Sequence, residues 1–223
     1  MKKVFHLLLC IIFSSQLLTL NLSCTQDAYD KGEGKYSQMT AEMVDAYTAS
    51  DKRITAFVTD DGVRYTVDSP FSVGYMSKPD TVYRAVFFFS KTEKGADVKG
   101  LNRVGVPVPQ KIAEMKTDPV RIESMWLSKT RRYLNLSLQL MVGATDSKDV
   151  VHKIGCHIDT LMTNADGTHT LHLTLYHNQN GMPQHYTQRS YFSVPMPAEA
   201  ADSVTLTVST YDGVETRAFK LKN

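Results

Sequence analysis

The chain has 223 residues, of which 42% are hydrophobic and 22% are charged. Its 25 lysine and arginine residues nearly balance its 23 aspartate and glutamate residues, which gives a formal net charge of +2. This balance offers no electrostatic basis for binding nucleic acid, which requires a basic patch or stripe. The length suits one large β domain or two small ones.

The first 23 residues predict a secretory signal peptide. Two lysines follow the initiating methionine, and an apolar run then extends to Leu18, interrupted by the polar residues 14–16. The uninterrupted part is therefore shorter than the roughly 20 apolar residues that a membrane-spanning helix needs. A short cationic start followed by a short apolar segment is typical of a signal for export.

Cys24 is the predicted lipidation site. Ser23 supplies the small residue before the cleavage point, and Leu20 and Leu22 supply the apolar character that bacterial lipoprotein signals have there. The alternative is an ordinary secretory signal with a cysteine near its end. Because two or more acyl chains hold a protein stably at a membrane, we predict a lipid-anchored protein that does not span the bilayer. Residues 24–36 are polar and contain glycine, which predicts a flexible tether.

The remaining cysteines predict a fold without a disulfide. Cys10 lies in the signal peptide, and acylation of Cys24 would leave Cys156 alone. Cys156 alternates with Ile154 and Ile158, which indicates a small buried residue in a strand. Nothing nearby in the sequence would activate its thiol except a histidine on the opposite face of the strand.

From Met39 onward, β-branched and aromatic residues alternate with polar ones, which predicts β-strands. Residues 39–47 also fit one face of a helix, so both alternatives stay open there. Two alternating segments flank Asp61-Gly62, a pair that favours a hairpin turn. Residues 82–89 form an almost continuous apolar run, which predicts a strand buried on both faces. Residues 94–100 predict a loop before the next strand.

Three prolines between residues 107 and 119 mark a break in the pattern, and we place a domain boundary near residue 117. In the second part, residues 133–140 alternate strictly, with four leucines on one face and polar side chains on the other. Short strands further along, which alternate leucine with threonine, are predicted to leave one face in solvent, as antiparallel sheets allow. Short strands separated by regular turns, without a long helix, favour a β-sandwich.

Several short motifs in the second part point to a known family. They are Asp118-Pro119-Val120, Met125-Trp126, the Tyr-Leu-Asn-Leu stretch at 133–136, and the Leu-Thr-Leu-Tyr-His-Asn stretch at 173–178 with Gly181. The chain resembles the NigD-like lipoproteins of the Bacteroidetes. This resemblance implies an all-β chain with an N-terminal OB-like β-barrel, here at 37–117, followed by a C-terminal β-sandwich at 118–223. It also implies an envelope location at the outer membrane, either periplasmic or surface-exposed, and a suggested role in bacteriocin immunity.

The sequence predicts no catalytic residues, no cofactor and no metal site. Six of the seven histidines lie in the second part, but none has a compact zinc-ligand spacing with cysteine. No Gly-x-Ser-x-Gly nucleophile motif is present either. On the predicted strand, His169 and His177 share the leucine face whereas His172 points the other way, and His177 is expected to end the strand with its ring hydrogen-bonded.

Tyr176, Tyr186, Tyr191 and Phe192 are the candidate binding residues, since exposed aromatic side chains can line a carbohydrate or peptide surface. Packing and cross-strand pairing are the alternative role for such residues. We therefore expect a non-enzymatic protein that binds or protects, with an envelope protein, a glycan or a peptide as partner and no nucleic acid. An accessory protein for glycan or peptide uptake and a cryptic hydrolase are the alternatives.

Overall fold

The computed structural model describes residues 39–197 and 201–222, in which every regular element is a β-strand. The all-β prediction is confirmed. No helix in these ranges has the length and apolar character needed to cross a bilayer. The signal peptide, Cys24 and the tether lie outside the described residues. The strands in chain order are β1 (Thr40–Thr48), β2 (Ile54–Thr59), β3 (Arg64–Phe71), β4 (Val82–Lys91), β5 (Ala96–Gly105), β6 (Pro109–Gln110), β7 (Arg121–Leu127), β8 (Tyr133–Val142), β9 (Lys153–Thr163), β10 (His169–Asn178), β11 (Tyr186–Pro195), β12 (Ser203–Thr210) and β13 (Gly213–Lys220).

The strands form two sheets. Eight strands pair in the order β3-β2-β1-β4-β5-β11-β8-β7, and five pair in the order β13-β12-β10-β9-β6. A further parallel contact joins β3 to β5 at Val67 and Ala96, so the first five strands pair in a closed order. The larger sheet continues past residue 117 because β5 pairs with β11. The OB-like barrel and the boundary at 117 stay predictions.

The first five strands enclose an aromatic core. Phe57 of β2 lies with its ring centroid 5.2 Å from that of Phe87 and 4.9 Å from that of Phe89, both on β4. Val44 and Ala46 of β1 belong to the same buried cluster. Edge-to-face contacts of this kind add to the stability that burial of the rings provides. Residues 39–47, for which a helix was the alternative, lie in strand β1 and its flank.

The second core lies between the two sheets and follows the predicted leucine face of β8. Leu134, Leu136 and Leu138 are fully buried, as are Leu173 and Leu206 of the facing sheet. Cys156 of β9 is also fully buried in this cluster, as predicted. Burial raises the pKa of its thiol to about 12. A neutral thiol in an apolar core behaves as a small hydrophobic residue.

One local prediction is wrong. Residues 94–100 are not a loop, because β5 already begins at Ala96 and pairs with β4 through an irregularity at Phe88 and Phe89. On the polar face of β8, Asn135 is completely buried and Ser137 nearly so. Side chains from the first part of the chain cover this face.

Candidate functional site

The outward face of β4 packs against β11 in three successive layers. The alternation of β4 sends Ala85, Phe87 and Phe89 into the first core and the residues between them to the opposite face. The first layer is a polar network that contains Arg84 of β4 and Ser193 of β11. The second is an apolar contact of Val86 with Tyr191. The third is an open groove, lined by Phe88 of β4 and Arg189 of β11 among others.

The polar network is centred on Arg84, whose side chain is 2% exposed. Its Nε donates to Ser193 Oγ at 3.0 Å, and one of its terminal nitrogens donates to Asn135 Oδ1 at 3.2 Å. Ion pairs join it to Asp45 of β1, at 3.3 Å, and to Asp60 of the β2–β3 turn. A charge taken out of water requires partners on several sides. The guanidinium therefore ties β1 and β4 to β8 and β11.

Further contacts complete this network. Asn135 Nδ2 donates to Asp60 Oδ2 at 2.5 Å, and Ser193 Oγ donates to Asn135 Oδ1 at 2.7 Å. The Arg84 guanidinium carbon lies 4.1 Å from the ring centroid of Tyr133, a cation–π contact. Burial, together with the nearby Asp45 carboxylate, raises the pKa of the Tyr133 hydroxyl. Every group here has a partner, which indicates that this layer is structural.

The third layer is an open groove of about 880 Å³. It forms because β5 and β11, which run parallel, pair only where Val104 and Gly105 meet Tyr191 and Phe192, and separate on the N-terminal side of that contact. Gly105 permits the junction, since a Cβ atom there would lie 2.6 Å from Cδ1 of Phe192. The volume is within the range of ligand pockets.

The groove has apolar walls and basic groups. The lining includes no aspartate, glutamate or cysteine side chain among the described residues. The lining residues are Phe88, Asn102, Arg103, Gly105, Leu140, Val142, Val151, His152, Ile154, Met182, Gln188, Arg189, Ser190, Tyr191 and Phe192.

The two arginines of the groove differ in their surroundings. Arg189 forms an ion pair with Glu123 of β7, and hydrogen bonds from Ser137 and from Arg189 lower the pKa of that carboxyl. The guanidinium carbon of Arg103 lies 5.4 Å from the ring centroid of Tyr75, and among the described residues no carboxylate pairs with it. Arg103, at the open edge of β5 and among the lining residues, thus carries a positive charge without a carboxylate partner in the described residues.

His152 connects the groove to the sandwich core through His177. Their rings stack, and His152 Nδ1 lies 2.8 Å from His177 Nε2. Burial lowers the pKa of His177, although its bond to the Asp118 backbone acts in the opposite direction. A neutral His177 donates from Nδ1 to the carbonyl oxygen of Asp118, 2.9 Å away, and accepts at Nε2.

The other nitrogen of His152 contacts the backbone. His152 Nε2 lies 2.9 Å from the carbonyl oxygen of Met141, and a carbonyl can only accept. His152, which also lines the groove, therefore joins the Met141 carbonyl to the His177 ring.

The structure brings together only some of the residues that the sequence singled out. Tyr191 and Phe192 line the groove, whereas Tyr176 and Tyr186 lie outside its lining. His177 lies one residue before the end of β10, and both its ring nitrogens are hydrogen-bonded, as predicted for its ring. Sequence reasoning missed Arg84, although a lone charge within an apolar strand is a signal of a buried ion pair.

The remaining histidines are dispersed. His172 Nδ1 lies 2.8 Å from Thr205 Oγ1, and His169 lies beside Asp202. His157 Nδ1 accepts from the backbone N–H of Ile112. Within the part of the chain that the structure describes, no three histidine, cysteine or acidic side chains come together in a way that could hold a metal ion.

Comparison with protein families places these strands in a known class. A family model described as the NigD-like C-terminal beta sandwich domain matches residues 106–221, more than half of the chain. The chain belongs to the NigD-like family. This match confirms the resemblance seen in the sequence and the β-sandwich of the second part. No curated protein matches the chain.

Solved structures share the fold. A NigD-like immunity protein from Bacteroides caccae has a TM-score of 0.60 and 24% sequence identity, over 81% of this chain and 91% of that one. A protein of unknown function from Bacteroides vulgatus has a TM-score of 0.62 and 18% identity, over 82% of this chain and 90% of that one. At this level of identity the likeness concerns the fold alone.

Proposed function

We propose that this NigD-like protein is a non-enzymatic, lipid-anchored protein of the cell envelope that binds a partner through its groove and protects the cell, as a bacteriocin immunity protein does. Cys24 would carry the lipid at the outer membrane. The observation that carries the proposal is the groove between β5 and β11, which combines partly buried aromatic side chains with an uncompensated arginine. The similar fold of a protein described as NigD-like and as an immunity protein supports it.

The lining of the groove supports binding rather than hydrolysis. Glycoside hydrolysis typically uses a pair of carboxyl groups on either side of the bond that is cleaved, and no acidic side chain lines the groove in the described residues. The single lining serine, Ser190, has no hydrogen bond to His152, which instead contacts His177 and Met141. A nucleophilic serine requires such a base.

A second candidate function is glycan binding for a neighbouring uptake system. Phe88, Tyr191 and Phe192 line the groove and are partly exposed. Aromatic rings beside polar groups are a common lining of small-molecule sites. Growth on polysaccharides would distinguish the candidates, since loss of an uptake accessory slows growth on its glycan whereas loss of an immunity protein does not.

Survival of a deletion strain tests the proposal. Cells that lack the gene would be grown against a panel of bacteriocin-producing strains, with and without the gene restored. Protection should require the wild-type gene and should be lost with Asn102→Trp, which fills the groove from an exposed position of β5. The control is Val214→Trp on β13, where the side chain is 74% exposed. Equal killing with and without the gene across the panel contradicts the immunity role.

A further inference from the structure

We propose that the groove binds an extended acidic peptide as an added β-strand between β5 and β11. This inference rests on the proposed function and names the chemistry of its partner. Strand addition uses main-chain hydrogen bonds for affinity and side-chain pockets for specificity. The structure supplies both, together with a charge that selects the partner.

The main-chain edges come from two diverging strands. β11 pairs with β8 along all ten of its residues, but on its other side only Tyr191 and Phe192 meet β5. On the side of β5 that faces β11, Ala96 pairs with β3, and Val104 and Gly105 pair with β11. Residues 97–103 and 186–190 therefore have no strand partner on these sides within the described ranges. Unpaired strand edges are templates for another strand.

The two open edges converge on the groove. Asn102 and Arg103 of β5, and Gln188, Arg189 and Ser190 of β11, are all among its lining residues. Both strands point in the same direction where they meet. A peptide that enters between them can thus form hydrogen bonds with either edge, and it ends where the existing β5–β11 pairing begins.

Apolar side chains line the walls on either side of the open edges. Phe88 lies on one side, whereas Val151, Ile154 and Met182 come from the segments around β9 and the β10–β11 connection. Val151 is 50% exposed. Successive side chains of a strand point to opposite sides. A peptide that alternates apolar and charged residues can therefore place the apolar ones against these apolar side chains and direct the charged ones toward the basic groups.

The charges select an acidic peptide. Arg103 has no carboxylate partner in the described residues, and Arg189 is partly compensated by Glu123. A carboxylate on the peptide would complete an arginine ion pair, whereas a lysine would meet like charge.

Peptide binding to the full chain in detergent tests the inference. The probe is a fluorescein-labelled eight-residue peptide of alternating valine and glutamate, followed by fluorescence anisotropy. One control peptide replaces glutamate with lysine, and another carries N-methyl groups on alternate backbone nitrogens and so loses one edge of strand hydrogen bonds. Arg103→Glu is the test variant, and Lys220→Glu on exposed β13 is matched to it in charge change.

The expected result is saturable binding of the valine–glutamate peptide, and no binding of the lysine or N-methylated peptide. Arg103→Glu should weaken binding by about tenfold or more, as loss of a close charge contact does, and Lys220→Glu should leave it unchanged. Bound peptide should also slow amide hydrogen exchange at residues 102–103 and 188–190. Equal binding of the N-methylated peptide, or of the lysine peptide, overturns strand addition of an acidic peptide.

The outcome is separable from that of the survival experiment. Protection of cells by the wild-type gene without any binding of the valine–glutamate peptide overturns this inference and leaves the immunity role standing. Binding of the peptide by a protein that gives no protection supports the inference and contradicts the immunity role.

Discussion

Nε of Arg84 donates to Oγ of Ser193 at 3.0 Å, a bond between residues 109 positions apart in the chain. Both side chains are buried, and Asn135 accepts from each of them. A single guanidinium thereby joins the strands before residue 117 to the strands after it. The open groove lies two layers further along the same pair of strands.

Arg84→Met should destabilise the protein strongly. The substitution keeps much of the apolar stem but leaves Asp45 and Asp60 without their buried partner, which typically costs about 3–5 kcal/mol. Urea unfolding, followed by tryptophan fluorescence, would measure the free energy of unfolding. Adding Asp45→Asn and Asp60→Asn should recover part of the loss. Arg53→Met, in the exposed pair with Asp51, should leave the midpoint nearly unchanged; equal losses for Arg53→Met and Arg84→Met would contradict the role assigned to the network.

Gly105→Ala should loosen the junction of β5 and β11. The new Cβ atom would lie 2.6 Å from Cδ1 and 2.9 Å from Cε1 of Phe192, so that the ring must move at a cost of about 1–3 kcal/mol. Gly100→Ala on the same strand is the matched control, since its Cβ would meet Cδ2 of Phe88 at 3.9 Å, an ordinary contact. Thermal unfolding of both variants checks the prediction, which fails if Gly100→Ala has the larger effect.

Because of His177, the stability of the protein should decrease as the pH falls below the pKa of an ordinary histidine. Burial holds the pKa of His177 below the ordinary histidine value of 6.5, while His152 and Asp118 act on it in opposite directions. The unfolded chain therefore binds a proton more readily than the folded one, and the free energy of unfolding decreases as pH drops through this range.

The His177→Asn variant tests this pH dependence, because asparagine keeps a donor for the Asp118 carbonyl but does not titrate. We expect a flatter dependence of the unfolding free energy between pH 7.5 and pH 5, with lower stability at pH 7.5. His169→Asn is the control, since the side chain of His169 is 46% exposed. An unchanged slope in His177→Asn would show that other groups determine the acid response.

Cys156 should be unreactive in the folded protein. Its thiol is fully buried, and burial raises its pKa to about 12, so almost no thiolate forms near neutral pH. In a chain that carries Cys10→Ala and Cys24→Ala, a thiol-specific chromogenic reagent should find no thiol at pH 8 and one per chain in guanidinium chloride. Rapid labelling of the folded chain would contradict the packing of β9.

Cys24→Ala should release the protein from membranes. Metabolic labelling with a fatty-acid analogue would detect acylation of the wild type, and fractionation would follow the variant into the soluble fraction. Protease treatment of intact cells would then determine on which side of the outer membrane the wild type is exposed. Absence of fatty acid on the wild-type protein would rule out the lipid anchor.

The alternation of apolar and polar residues in the sequence predicted the strands well. The four leucines of β8 predicted the core face because side chains of a strand alternate with period two. Burial of the opposite face could not be predicted from the alternation, because burial of Asn135 depends on Arg84, which lies 51 positions away. Local pattern does not reveal which element covers a polar face. The lone arginine in the apolar run of β4 was the signal available.

The groove could be predicted only in part. Tyr191 and Phe192 were identified from their chemistry. Arg103 reaches the groove through the β5–β11 register, and His152 reaches it through its contacts with Met141 and His177. Nothing local in the sequence determines either arrangement. The first half of β11 gives no strand signal in the sequence, because residues 187–190 are all polar. They are exposed at an open edge, where a strand needs no apolar alternation.

The pairing of β5 with β11 also constrains the order in which the chain folds. Gly105 and Phe192 lie 87 positions apart in the chain, and contacts of such long range form slowly. During synthesis Val104 and Gly105 have no strand partner on that side until β11 arrives, so a chain truncated before residue 186 would expose them to other chains. This part of the β5 edge is therefore covered only when most of the chain has been made.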